Sequence, residues 1–152
     1  MRPAVHIYFT AQMRELLTSR TLSVSIDRHP DEVYDFVSNP ANLPRWAEGL
    51  CKSIRKSNGG WIAETLRDPV KIMFAERNDL GVLDHYVTTA TGEEVYVPMR
   101  VVPNGAGSEV LFTLFRMADM SEEKYAEDAE FVERDLKTLK RLLEAGRNPE
   151  SS

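Results

Sequence analysis

Residues 21–46 read Thr21-Leu22-Ser23-Val24-Ser25-Ile26-Asp27-Arg28-His29-Pro30-Asp31-Glu32-Val33-Tyr34-Asp35-Phe36-Val37-Ser38-Asn39-Pro40-Ala41-Asn42-Leu43-Pro44-Arg45-Trp46. Two periods meet in this stretch. Leu22, Val24 and Ile26 fall at every second position, the pattern of a strand with one buried face. Pro30 then suits a first helical position, and Asp31 and Glu32 suit the positive end of a helix dipole. Val33, Phe36 and Val37 follow at i, i+3 and i+4, which predicts a short amphipathic helix over 30–38. Asn39-Pro40 ends it. A second short helix over 41–47 is expected to present Leu43 and Trp46.

Downstream, every segment from 50 to 117 reads as strand: 50–56, 61–66, 70–77, 82–89, 94–102 and 109–117. The cuts are Asn58-Gly59-Gly60, Asp68-Pro69, residues 78–81, Thr91-Gly92 and residues 103–107. Connections this short imply antiparallel hairpins. Residues 121–145 return to helical spacing, with Glu122 and Glu123 in the first turn, Lys140 and Arg141 near the end, and Gly146 at the C-cap position. Tyr125, Ala129, Val132, Leu136, Leu139 and Leu143 make one apolar stripe, and Glu130–Arg134 and Glu133–Lys137 are i, i+4 pairs on the wet side. At about 1.5 Å per residue the rod is about 37 Å long, enough to cross a sheet. Upstream, residues 1–19 read as an extension in which 11–18 form a short helix with Met13, Leu16 and Leu17 on one side, or else as a frayed terminus. The expected division is an extension over 1–19, one domain over 20–146 and a polar tail over 147–152. Strand, two short helices, six strands and a long helix make an α+β fold, a curved antiparallel sheet of about seven strands wrapped around the last helix.

Composition narrows the function classes. With 152 residues the chain can bury roughly 70% of its unfolded surface, enough for a core with a cavity in it. A net charge of −5 argues against nucleic acid as the main partner, because phosphate binding needs a basic patch. Cys51 is the one cysteine, so neither an internal disulfide nor a cysteine-built zinc site is expected. No apolar run reaches the roughly 18 residues of a membrane span. No small-residue cleavage site follows the apolar start, so a cytoplasmic location is expected.

The opening Ser25-Ile26, the helix Pro30-Asp31-Glu32-Val33-Tyr34-Asp35-Phe36-Val37 and the segment Ser38-Asn39-Pro40-Ala41-Asn42-Leu43-Pro44-Arg45-Trp46 resemble the START-like (SRPBCC, helix-grip) superfamily, in its polyketide cyclase/dehydrase-like branch. The resemblance covers about residues 20–145, and its later part rests on element order more than on motif. It implies the helix-grip fold and a cavity between sheet and long helix. Members of the superfamily bind apolar ligands, cyclise polyketides, carry lipids or dock on chaperones, so the resemblance names no single reaction.

Signatures of common enzyme classes are missing: H-E-x-x-H, G-x-S-x-G, a Walker loop and G-x-G-x-x-G do not occur. His6, His29 and His85 lack ligand spacing, and neither metal nor cofactor is expected. Taking Thr91-Gly92 as a two-residue turn pairs Thr88 with Val95, Tyr86 with Val97 and Asp84 with Met99. With the next loop taken so that Val101 faces Val110, Met99 faces Phe112 and Val97 faces Leu114, and the concave face collects Asp84 and Tyr86 among apolar residues. On that register Asp84 is a carboxylate on an apolar wall, with a pKa raised by desolvation, able to anchor a ligand or to move protons with Tyr86. The alternative is an Asp84 that sits near the sheet margin and bonds to backbone. His85, one residue along, points the other way, outward or to an interface. A one-residue slip would invert the assignment.

The expected ligand contacts are Trp46 and Trp61 at an entrance, Phe74, Val97, Met99, Phe112 and Leu114 on the wall, Arg116 at the mouth, and Tyr125, Ala129 and Val132 on the helix. For the two tryptophans plain core packing is the competing reading. The first functional reading is binding of a hydrophobic or aromatic small molecule, lipid- or polyketide-like, inside the grip. The alternatives are a cyclase/dehydrase-type enzyme using Asp84 and Tyr86, and a protein-interaction module similar to chaperone-activating relatives. A homodimer through an outer face or the extension stays open.

Overall fold

The structure, a computed structural model, describes residues 16–145. Strand β1 (Ser19–Ile26) leads into helix α1 (Pro30–Val37), a 3-10 turn (Pro40–Asn42) and helix α2 (Leu43–Trp46). Seven strands follow: β2 (Ser53–Ser57), β3 (Gly60–Glu64), β4 (Val70–Phe74), β5 (His85–Thr88), β6 (Glu94–Val97), β7 (Met99–Asn104) and β8 (Gly107–Phe115). Helix α3 (Glu122–Ala145) ends the order. The domain is thus an antiparallel wall with a long C-terminal helix, as the order of elements implies. Most of the extension, Gly146 and the polar tail lie outside the described residues, and the described part of 11–18 contains no helix.

Helix α1 begins with Pro30 at its N-terminus, and the His29 ring accepts the Asp31 N–H through Nδ1 at 3.1 Å. Val33, Tyr34 and Val37 are its buried residues. Phe36 is only partly buried, beneath the Arg45 guanidinium at 5.1 Å. Tyr34 takes the inner place because its hydroxyl has a partner there, the Asn78 N–H at 2.9 Å.

Two sheets make up the wall, one of five strands in the order β2-β3-β4-β5-β6 and one of three in the order β1-β8-β7. The chain crosses between them at Pro98. Proline has no N–H, so the ladder stops there. The segment read from sequence as one strand over 94–102 is therefore two, β6 and β7, and the described residues form eight strands rather than about seven. A bridge between Val82 and Arg100 and a 2.8 Å bond from Leu83 N–H to the Met99 carbonyl tie the sheets together.

The registers set which side chains share a face. In the three-stranded sheet Leu22, Phe112 and Met99 lie abreast, as do Val24, Val110 and Val101. In the five-stranded sheet Trp61, Ile72, Val87 and Val95 form one row, and Phe74, His85 and Val97 the next. These rows are the concave side. Helix α3 lies along β1 and against α2, with Ala129, Leu136 and Leu139 buried and Val132, Leu142 and Leu143 packed on the core. The closed core, with Ile26, Val33, Val37, Leu43, Trp46, Val101 and Val110, gathers under that contact. On the helix's wet side Glu133 pairs with Lys137 as expected. Arg134 does not pair with Glu130; its guanidinium lies over the Phe131 ring at 5.2 Å.

Candidate functional site

The hairpin between β5 and β6 decides the site. Its loop is five residues long, Thr89 to Glu93, closed by the Thr89 N–H to the Glu93 carbonyl at 2.9 Å. A five-residue loop shifts the register by one from the two-residue turn read in the sequence. His85 pairs with Val97, Tyr86 with Tyr96 and Val87 with Val95. The slip turns all of β5 over. Leu83, His85 and Val87 face in; Asp84 and Tyr86 face out. The expectation for Asp84 and Tyr86 on the concave wall is thereby corrected.

Asp84 has a structural post at the junction of the sheets. Its Oδ1 accepts the Met99 N–H at 2.9 Å and Arg100 Nε at 3.2 Å. Its Oδ2 accepts the Tyr96 hydroxyl at 2.9 Å and Arg100 Nη2 at 3.1 Å. The Met99 amide is the first after Pro98, and Asp84 supplies the acceptor that a regular ladder would have given it. Burial alone would raise this carboxyl, but Arg100, the Met99 amide and Tyr96 outweigh it and hold it below its ordinary value. That is opposite to the raised value expected of an acid on an apolar wall. Tyr96, desolvated and bonded to the carboxylate, is pushed up to about 12 and stays protonated. Tyr86 stacks on Tyr96, ring centroids 5.2 Å apart.

His85, which the sequence reading turned outward, is 7% exposed on the inside. Its ring stacks on Phe74 at 4.8 Å and meets Phe112 edge-on at 6.2 Å. Nδ1 lies 3.0 Å from the Leu83 carbonyl. A carbonyl oxygen only accepts, so Nδ1 carries the proton. Burial lowers the ring's pKa, against the Leu83 bond and the Asp84 charge. The imidazole is thus neutral at pH 7, with its lone pair on Nε2, and Nε2 has no hydrogen-bond partner among the described residues. The inward positions of β4, β5 and β6 are otherwise Val70, Ile72, Phe74, Val87, Val95 and Val97, which leaves His85 as the one polar side chain on that part of the wall.

Trp61, Phe74, Val97, Met99, Phe112, Leu114 and Arg116 share the inward side by register, so the structure brings these expected contacts to one surface. They are not equally open. Met99 and Trp46 belong to the closed core, whereas Trp61, Phe74, Val87, Val95, Phe112 and Leu114 are only partly buried. Tyr125 donates its hydroxyl to the Leu114 carbonyl at 2.8 Å, and Ala129 is buried one turn along. Arg116 donates Nε to the Met120 carbonyl at 2.8 Å, and so holds the turn before α3. It lies on the opposite face from Asp84, not on a shared one. A cleft of about 400 Å³ opens at the wall's edge between Trp61, Phe74, Gly59, Gly60, Ser38 and Pro40. Phe74 is common to this cleft and to the His85 stack. A second cleft of about 400 Å³ lies between α1 and residues 77–81. Its lining mixes charged and apolar residues, and Arg77 within it is engaged by Asp35 and the Tyr34 ring.

Two other groups complete the inventory. Cys51 is buried, donates Sγ–H to the Ser53 carbonyl at 3.3 Å and is raised to about 11 by desolvation, so it is no activated thiol. Asp135, on α3 beneath the loop after α2, is pushed up to about 6 by burial.

The same architecture recurs in solved structures of low sequence identity. XoxI from Bacillus cereus is 16% identical with a TM-score of 0.70, over 87% of this chain and 100% of that one. DynU16, a protein of the dynemicin biosynthetic locus, is 16% identical with a TM-score of 0.66, over 85% of this chain and 48% of that one. A START superfamily protein from Mycobacterium smegmatis is 11% identical with a TM-score of 0.61, over 85% and 99%. At these identities the likeness is one of fold. A comparison with curated proteins finds no match. No helix among the described residues is long and apolar enough to cross a membrane. The family described as polyketide cyclase / dehydrase and lipid transport matches residues 18–144, and the chain belongs to it.

Proposed function

We propose that the protein binds a hydrophobic small molecule against the concave wall of the five-stranded sheet, entering by the cleft at Trp61 and Phe74. One observation carries the reading. The inward residues Trp61, Phe74, Val87 and Val95 are apolar and only partly buried, although Ala63, Ile72 and Val97 on the same face are enclosed. An apolar concave surface with a few polar groups is how small-molecule sites are built. A cleft of about 400 Å³ lies within the usual range for such sites, roughly 300–1,000 Å³. The family description, which joins polyketide cyclisation with lipid transport, agrees with a ligand of this class. Asp84 and Tyr86 take no part, since both face away from the wall.

Native mass spectrometry of protein purified from its own host tests the reading. The expected result is a retained lipophilic molecule that is lost in Val95→Lys, a change that puts a charge on the open part of the wall. A clean apo mass, together with no binding of naphthalene-class or long-chain probes up to millimolar concentration, overturns it.

A further inference from the structure

The Nε2 lone pair of His85 has no role in holding the fold. Nδ1 is committed to the Leu83 carbonyl, which fixes both the tautomer and the ring plane. Phe74 and Phe112 fix the ring's position from two sides. Nε2 has no partner among the described residues and is not one of the fully enclosed polar atoms, so in a ring only 7% exposed it is the point left open to solvent or to a ligand. A ligand that covers it displaces water there and must supply a donor in its place or leave the lone pair unpaired. Resting on the binding reading above, we propose that His85 makes the site selective for hydrophobic ligands that carry a hydrogen-bond donor, a phenol, enol or alcohol, which donates to Nε2.

The selectivity has a direction. A ligand that presents only acceptors, such as a ketone or an ether, meets a lone pair with a lone pair. Neither switching the tautomer nor protonating the ring avoids this cheaply. The first would cost the Leu83 bond, and the second would place a cation among Phe74, Val97 and Phe112. A donor also gains from geometry, because the stacked ring holds its acceptor in place before the ligand arrives. Phe74 joins the cleft to the imidazole, so an aromatic ligand entering past Trp61 can lie against Phe74 and reach Nε2 with a peripheral hydroxyl.

The experiment compares 2-naphthol with 2-methoxynaphthalene, which share the ring system and differ in the donor. Binding is followed by calorimetry on the full chain, and the His85 ring nitrogens are followed by nitrogen NMR. The expected result is about tenfold tighter binding of 2-naphthol, a shift of the Nε2 resonance with Nδ1 still protonated, and equal affinities in His85→Phe. Equal affinities in the wild type overturn the selectivity and leave the binding reading standing. Binding of neither probe removes the reading and the selectivity with it. Should His85→Phe fail to fold, the wild-type spectrum still decides, since a proton on Nε2 or an Nε2 signal unmoved by 2-naphthol overturns the proposal.

Discussion

Replacing Asp135 by Asn should stabilise the protein at neutral pH and not at acidic pH. Asp135 sits on α3 beneath the loop that links α2 to β2. Gly49 of that loop lies so close to the helix that a Cβ there would come within 2.9 Å of the Phe131 ring. Burial pushes the Asp135 carboxyl from 3.8 up to about 6, with a small further push from Glu48; the Gly49 N–H and Arg134 oppose it. The folded-state value is therefore above the unfolded one, and ionisation works against folding. Below about pH 4 both states are protonated and no penalty exists. Between 4 and 6 the unfolded chain ionises first and stability is lost; above 6 the loss is constant. Two units correspond to about 2.7 kcal/mol. Because Asp135 is only partly buried, solvent screening reduces this to about 1–2 kcal/mol. Asn keeps an acceptor for Gly49 and carries no charge. Thermal melts of wild type and Asp135→Asn at pH 4.5 and 7.5 should show a gain of about 3–6 °C at pH 7.5 and a smaller one at pH 4.5. An equal gain at both values, or none at pH 7.5, would falsify the assignment of the penalty to a buried charge.

Asp84→Ala leaves the Met99 amide and Arg100 without their acceptor and should cost about 2 kcal/mol in urea unfolding, because Arg100 is half exposed and can turn to water; a loss under about 0.5 kcal/mol refutes the clasp. The Asp84 value is lowered on folding, so its contribution is present above the ordinary carboxylate pKa and fades as pH drops through the folded value, and Asp84→Ala should flatten stability below pH 4. His85 should titrate by proton NMR with a midpoint below the usual 6.5, since burial disfavours its cation; a midpoint above 6.5 contradicts a neutral acceptor. Gly81→Ala should cost about 2 kcal/mol or more, because Gly81 has φ +74° and its Cβ would stand 2.1 Å from the Val101 carbonyl, whereas Gly105→Ala meets no atom within 4 Å and should cost less; equal melting points in the two variants would sink the argument.

Much of the fold was legible because local and long-range signals agreed. The change of period between Ile26 and Val33, with Pro30 at the join, gave β1 and α1 in place. The stripe Ala129, Leu136 and Leu139 is the buried line of α3. Setting Val101 opposite Val110 placed Met99 opposite Phe112, and both pairs occur. The site was less legible for one reason. Thr91-Gly92 carries the signal of a tight turn, and Gly92 does adopt φ +92°, but it does so inside a longer loop held by Thr89. An error of one residue there moved His85 to the wrong side. The valines held the correction: pairing Val87 with Val95 puts Val87 and Val95 together on one face and Tyr86 and Tyr96 on the other, a better separation than the one chosen. Pro98 was likewise visible as a residue but not as a break, since its effect depends on which strand lies beside it.

Pro98 also explains why Asp84 and His85, neighbours in sequence, serve opposite ends. A proline inside a wall leaves one amide to be satisfied and bends the chain from one sheet into the next. Asp84 answers on the convex side, where Arg100 stays half in water and the desolvation of the buried carboxylate is offset by its hydrogen bonds. Strand alternation then sends His85 to the concave side, on the five-stranded half that α3 leaves open. The helix runs along β1 and buries Leu136 and Leu139, while Trp61, Phe74, Val87 and Val95 on the five-stranded half stay partly open. On the proposed reading, a wall of valines and aromatics around one neutral imidazole suits a guest that is greasy over most of its surface and polar at one point.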